Sequence, residues 1–359
     1  MRWYLKRKFN LSYEEVQVDG PFLMVPNHVC AWDPLLVAMC SPGVPLYYVA
    51  SEHLFRLGFV TKLLEYLVEP IPRRKATTGS DTAKACLRHL RAGRSVCIFG
   101  EGEQCWDGIS QRVFPATGKL ARVSGAALVT VRIEGGYLSL PRWGKGIRRG
   151  RVRAHAVKVY PPEQLRSMTP QQIDAAIERD IYEDAWQRQD REPVAYRGRR
   201  RAEGLEKMLY LCPACGRIGG LSTAEDRLRC VCGGEWQLTE TGFFRPETPF
   251  RHLADWDRWE KEQLRKRDFP HGELLFSDPD MILTRVDDGH RETPLGRGTL
   301  EQYEDRLVCG EQVFVMDRIT DMAAVLAKLL LFSYEGAYYE IRSRDGANIR
   351  KYYEFWKVR

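Results

Sequence analysis

No run of about 18 uncharged apolar residues occurs in this 359-residue chain, so the sequence offers no candidate for a membrane-spanning helix. The start, Met1-Arg2-Trp3-Tyr4-Leu5-Lys6-Arg7-Lys8-Phe9, is basic and aromatic but lacks the apolar core and cleavage site of a signal peptide. Without an export signal, ten cysteines argue for reduced thiols or metal ligands rather than a disulfide framework. Nor is there the compositional bias of a disordered chain: 29% of residues are charged and 44% hydrophobic, the balance of a globular protein. The net charge of +7 is modest and favours anionic partners without naming them. The length suffices for two or three domains, each with its own core.

What the chain does have begins at Asn27-His28-Val29-Cys30-Ala31-Trp32-Asp33, followed by Pro34. Phe22 to Val25 reads as a short buried strand, because four apolar residues follow the turn pair Gly20-Pro21. His28 then sits where that strand ends. Pro34 suits the first turn of a helix running through Met39, with Asp33 as its cap. Asp33 can also fold back to hold one ring nitrogen of His28, leaving the other to act as a general base. On these residues alone, a helix-capping Asp and an ordinary loop His compete with that reading.

Strand and helix patterns alternate after this loop. Pro45 to Ala50 reads as a strand, and Leu54 to Leu67 as an apolar helix, packed in a core or dipping into a bilayer surface. Arg73-Arg74-Lys75 could hold a phosphate or be a solvated loop. Ser80 to Leu90 is a helix stopped by Gly93, with Ala83, Cys86, Leu87 and Leu90 on its inner face. Ser95 to Phe99 is the next strand and leads into Gly100-Glu101-Gly102-Glu103-Gln104, where flanking glycines permit close approach of the backbone to a ligand. This order predicts an α/β domain with a mostly parallel central sheet and ligands at the strand ends.

The ordered blocks resemble the glycerolipid acyltransferase family, the lysophosphatidate acyltransferase-like enzymes. The Asn-His-x4-Asp block is matched by Asn27, His28 and Asp33, and the strand ending in Arg by Ile71-Pro72-Arg73. The family's Phe-Pro-Glu-Gly-Thr-Arg block is replaced by Phe99-Gly100-Glu101-Gly102-Glu103-Gln104, and Ala127 to Val131 matches a further apolar strand. The resemblance implies transfer of a fatty acyl group from acyl-coenzyme A or an acyl carrier protein thioester to the hydroxyl of a lysolipid, 1-acylglycerol-3-phosphate or a related lysophospholipid. It makes His28 the base and Asp33 its orienter, with Glu101 and Gly102 shaping the acceptor pocket and Arg73 facing the head group. The attacking hydroxyl belongs to the substrate, so Cys30 is a bystander. The loss of Thr-Arg in the third block leaves an alternative open, a weak or inactive acyltransferase-like domain serving as a lipid-binding scaffold. It also predicts poor use of a phosphomonoester head group, unless Arg73, Arg74 or Arg112 compensates. The implied location is cytoplasmic and peripheral, on the inner face of a membrane.

A basic cluster, Arg142, Lys145, Arg148, Arg149, Arg151 and Arg153, fits a hairpin near a membrane surface or a solvated hairpin. Thr169-Pro170-Gln171-Gln172 starts a helix through Ile173, Ile177, Ile181 and Trp186. The acyltransferase-like domain is expected over 1–190, and an Arg-rich linker over 191–207. Residues 208–245 then hold Cys212, Cys215, Cys230 and Cys232, two pairs 14 residues apart, each followed by glycine. They resemble the knuckles of a zinc ribbon, although the second pair has one intervening residue instead of two. A structural zinc ion is the expectation; a redox pair and unbound thiols are the alternatives. Nucleic-acid binding, the other use of such a ribbon, lacks the aromatic and basic interleaving it needs. Residues 250–359 turn β-rich, with strands expected at 273–276, 281–286, 312–316, 329–334 and 337–342, a hairpin turn at Glu335-Gly336 and a closing helix capped by Asn348. That pattern resembles a PH- or GRAM-like domain.

Overall fold

A run of apolar residues without polar alternation needs cover on both faces, and Phe22, Leu23, Met24 and Val25 are all buried. The structure, a computed structural model, describes residues 2–51, 70–73, 80–287, 291–325, 327–344 and 346–359. The expected helix at 54–67 and the cations Arg74 and Lys75 lie outside the described residues. The chain divides into two compact units. One comprises Met1–Arg142 with Ile147–Arg197, and the other Trp143–Gly146 with Gly198–Arg359.

In the first unit, seven strands form one sheet: β1 (Leu11–Tyr13), β2 (Phe22–Pro26), β3 (Leu46–Ser51), β4 (Ile71–Arg73), β5 (Ser95–Cys97), β6 (Ala127–Glu134) and β7 (Val152–Tyr160). Their order is β1-β7-β6-β2-β5-β3-β4, parallel throughout except at the β6–β7 pairing. The mostly parallel sheet expected from the strand–helix alternation is therefore present. Chain order reverses at β2: β3 lies to one side beyond β5, and β6 lies on the other. In open α/β sheets such a reversal opens a crevice at the carboxyl ends of the strands. The loops after β2 and β5, which carry His28 and Glu101, leave from neighbouring parallel strands at that edge.

Helices cover the sheet. The helix Ser80–Arg91 buries Cys86 and Leu90 and ends before Gly93, whose φ of 77° suits a left-handed cap. The helix Pro170–Ile181 packs Ile173, Ala176, Ile177 and Ile181 onto the core of Leu23, Val25, Val96 and Leu128. Its capping box is complete: Thr169 Oγ1 accepts from Gln172 N–H at 3.2 Å, and Gln172 Oε1 accepts from Thr169 N–H at 2.8 Å. The expected continuation to Trp186 is instead a second helix, Ala185–Arg191, capped by the Asp184 carboxylate.

The second unit contains a four-stranded antiparallel ribbon, β8 (Leu221–Ala224), β9 (Arg227–Cys230), β10 (Glu235–Leu238) and β11 (Phe244–Arg245). After the helix Leu253–Lys266 come seven antiparallel strands: β12 (Leu274–Val286), β13 (Glu292–Tyr303), β14 (Arg306–Cys309), β15 (Gln312–Val315), β16 (Ile319–Val325), β17 (Leu329–Tyr334) and β18 (Ala337–Ser343). Helix Arg350–Val358 closes the chain. Glu335 and Gly336 both have positive φ, 50° and 77°, as the tight β17–β18 turn needs. The two strands expected at 273–286 are one bulged strand, β12, with Asp280 at φ 64°. Strand β13 carries no apolar alternation in its first half, which is exposed, and so the sequence does not show it.

A buried ionic cluster ties this unit together. Arg350, fully buried, pairs with Asp257 at 2.6 Å, Glu354 at 3.1 Å and Glu260 at 3.6 Å. It also donates to the Met208 carbonyl at 2.9 Å. Glu260 accepts the N–H groups of Tyr210 and Leu211 at 2.9 and 3.2 Å. The segment leading into Cys212 is thereby gripped from both helices. Residues 191–207 are divided between the units; within the second, Ala202 and Leu205 are buried and Arg201 pairs with Asp226 at 2.9 Å.

Candidate active site

His28 follows the end of β2, and Asn27 before it continues the sheet with its side chain. The buried Asn27 amide donates to the Ile133 carbonyl at 2.9 Å and accepts the Ile133 N–H at 2.7 Å, two bonds across to β6. The chain then turns, and Asp33 comes back under the loop it closes. Asp33 Oδ2 lies 2.8 Å from His28 Nδ1 and accepts the N–H groups of Val29 at 2.6 Å and Cys30 at 2.9 Å. The helix Asp33–Ala38 has Trp32 at its cap position with no side-chain capping bond. Asp33 is therefore not the helix cap: its carboxylate is committed to the loop on the other side.

Cys30 is more than a bystander. Its Sγ donates to Asp33 Oδ1 at 3.1 Å, and burial together with the neighbouring Asp33 charge pushes the thiol's pKa well up. It stays a protonated donor, which suits orienting Asp33 and does not suit nucleophilic attack. An ionised Asp33 can only accept, so Nδ1 carries the imidazole proton and Nε2 the lone pair. The ring stacks on Phe99 with centroids 4.2 Å apart, and the side chain keeps 18% of its exposure.

Glu101 is 4% exposed, and both its oxygens serve the protein's own backbone. Oε1 accepts the His28 N–H at 2.8 Å and Oε2 the Gln111 N–H at 2.7 Å. Burial, the largest influence, pushes its carboxyl up to about 8 against the lowering effect of those two bonds, with Asp33 and Asp107 adding to the rise. Gly100 leaves no room for a side chain, since a Cβ there would stand 2.9 Å from Val113 Cγ1. Gly102 turns the chain at φ 79°. The third block thus braces the His28 loop from below. Arg73 ends β4, three strand positions from β2, or about 14 Å along the sheet.

Glu103, the added carboxylate of the third block, has a partner that the sequence does not reveal. Arg142 donates to Glu103 Oε2 at 2.9 Å and to the Gln104 carbonyl at 2.8 Å, with its guanidinium 3.7 Å from the Trp106 ring centre. Arg142, 39 residues away, is the cation that pairs with Glu103. The basic cluster also proves not to be a hairpin with a free cationic face. The short helix Gly136–Ser139 and an irregular segment lead into β7; Arg148 is buried, Arg151 pairs with Glu192 at 2.7 Å, and Arg153 pairs with Glu14. Among the described residues, no helix is long and apolar enough to cross a membrane.

The four ribbon cysteines converge. All four sulfurs lie within 4.8 Å of one another, with Cys212–Cys232 at 3.8 Å and Cys215–Cys230 at 3.7 Å. A tetrahedral zinc with bonds near 2.3 Å sets its sulfurs about 3.8 Å apart, so the donor set and the spacing both fit. Gly216 and Gly233 make the two turns at φ 70° and 95°.

Residues 8–138 match the family model described as Acyltransferase. Over 137 residues the chain is 26% identical to the chloroplastic 1-acyl-sn-glycerol-3-phosphate acyltransferase of Arabidopsis thaliana, a stretch covering 38% of each chain. The crystal structure of the 1-acyl-sn-glycerophosphate (LPA) acyltransferase from Thermotoga maritima aligns with a TM-score of 0.42 at 19% identity, covering 48% of this chain and 68% of that one. The matched residues include the loop that carries His28 and Asp33. Its ordered blocks and that relative make it similar to the glycerolipid acyltransferases. The chain spans well under half the length of that relative.

Proposed function

We propose that the protein transfers a fatty acyl group from an acyl thioester, carried by coenzyme A or an acyl carrier protein, to the hydroxyl of a lysolipid. The observation that carries this reading is the His28 Nδ1–Asp33 Oδ2 contact at 2.8 Å, within the residues that match the Acyltransferase family model. His28 Nε2 takes the hydroxyl proton as the oxygen attacks the thioester carbonyl. The carbon–sulfur bond breaks, the leaving thiolate takes the proton back from His28, and an ester and a free thiol remain. Asp33 holds the tautomer and offsets the transient imidazolium charge. Glu101 and Gly102 set the wall of the acceptor site through the loop they hold, and Arg73 at the end of β4 is assigned to the head group by the family resemblance.

A structural zinc at Cys212, Cys215, Cys230 and Cys232 would close the ribbon; four thiolates leave no open position for catalysis. Membrane contact is assigned to the helix Arg2–Phe9. It exposes Trp3 at 70% and carries Arg2, Lys6, Arg7 and Lys8, while Tyr4 and Phe9 pack on Trp32 of the site loop. The β-rich region with its closing helix resembles a PH- or GRAM-like domain by pattern. The test of the main reading incubates purified protein with either thioester donor and a panel of lysolipids, followed by lipid analysis. New diacyl product with stoichiometric release of free thiol supports the reading; thioester and lysolipids recovered intact overturn it.

A further inference from the structure

The five residues Glu101 to Cys105 are fastened at both ends to His28. Glu101 accepts the His28 N–H at 2.8 Å, and the Cys105 N–H donates to the His28 carbonyl at 2.9 Å. Glu103 is the apex of that loop, two residues from each anchor, and two residues span at most about 7 Å. It therefore belongs to a loop tied at both ends to the backbone of the catalytic histidine. Of the Glu103–Arg142 pair, the carboxylate is the exposed member: the Glu103 side chain is 32% exposed and that of Arg142 only 8%. Arg142 is held by Glu103 Oε2, the Gln104 carbonyl and the Trp106 ring. Glu103 Oε1 has no hydrogen-bond partner among the described residues.

We infer that Glu103 is the specificity-determining residue of the acceptor subsite, and that it takes a hydrogen-bond-donating head group, an ammonium or a hydroxyl, in preference to a phosphomonoester. An ionised carboxylate can only accept. A phosphomonoester likewise offers acceptor oxygens and about −1.5 to −2 charges, so the two would face each other without a donor between them. An ammonium gains a charge-assisted bond and a hydroxyl a weaker one. Arg142 fixes the carboxylate in place, with Nη1 donating to one oxygen and leaving the other to the ligand. The inference rests on the acyl-transfer reading above.

The test measures kcat/KM of the full chain for lysophosphatidylethanolamine, lysophosphatidylglycerol and lysophosphatidate in the same mixed micelles. Wild type is expected to favour the first two. Glu103→Gln keeps an acceptor oxygen and loses the charge, so the ethanolamine-to-phosphomonoester ratio should fall about tenfold or more, and the glycerol-to-phosphomonoester ratio should fall less. Glu103→Thr should shift both ratios toward lysophosphatidate. Thermal unfolding of each variant checks that the fold is retained, and either variant alone suffices if the other fails. Wild-type preference for lysophosphatidate overturns the inference, as do ratios that both variants leave within about twofold of wild type, a margin well short of one lost charge-assisted bond. Absence of acylation with either donor overturns the acyl-transfer reading itself, and the inference with it.

Discussion

Asp33 Oδ2 lies 2.8 Å from His28 Nδ1, and the same oxygen accepts the N–H groups of Val29 and Cys30, the two residues that follow the histidine. One carboxylate thus shapes the loop and orients the ring. Removing it loses both effects together, whereas removing the imidazole loses the proton acceptor and the ring stacked on Phe99 but leaves Asp33 holding the loop.

His28→Ala is therefore expected to lower acyl transfer by about 10²–10⁴-fold while the domain keeps its thermal unfolding midpoint. Asp33→Asn should also lower turnover strongly, and it should lower the midpoint, because an amide group cannot accept all the donors now aimed at the carboxylate. Wild-type turnover by His28→Ala in a thiol-release assay would exclude it as the base.

Glu101 makes a pH prediction. Its carboxyl is pushed up to about 8 by burial from an ordinary value of 4.5, so the fold favours the protonated form. A raised carboxyl contributes stability that is full below about pH 4.5 and is lost as the pH rises through about 8. The stability difference between wild type and Glu101→Gln, from urea unfolding at about pH 5 and about pH 9, should shrink or change sign as pH rises. A difference that grows toward alkaline pH would contradict it.

The ribbon should bring metal with it. Protein purified under reducing conditions is expected to contain one zinc per chain, lost together from the Cys212→Ser and Cys232→Ser variants. Since such sites supply folding free energy directly, chelation should open tryptic cleavage at Arg217, Arg227 and Arg229. Metal analysis that finds no zinc in reduced protein would count against the site.

Arg350→Met leaves Glu354 buried without its cation and Asp257 with Lys261 alone. Breaking a buried pair in this way costs about 3–5 kcal/mol, so the urea midpoint of the second unit should fall sharply. The substituted side chain also gives up the bond to the Met208 carbonyl. Exposure of the ribbon to trypsin should therefore rise with it. A midpoint close to wild type would show that the cluster relaxes without its arginine.

Much of the site was legible because its chemistry is local. His28 and Asp33 are five residues apart, within the reach of one loop, and the Thr169–Gln172 capping box and the two Cys pairs are likewise set by short spacing. Alternation of apolar strands and amphipathic helices was enough for the mostly parallel sheet, since each element declares the face it must bury. The Asp33 carboxylate marks the boundary of that legibility. Spacing allowed it to cap a helix or to hold an imidazole, and only the folded loop, with Glu101 fastened to the His28 N–H from 73 residues away, decided between them. The same holds for Arg142 on Glu103 and for Arg350 among Asp257, Glu260 and Glu354. Charges in sequence carry no record of their partners; strand order and helix packing bring them together, and burial then makes the pairing obligatory. Residues close in the chain determined what chemistry this protein carries, while contacts between distant residues decided which groups are held in place and which remain exposed.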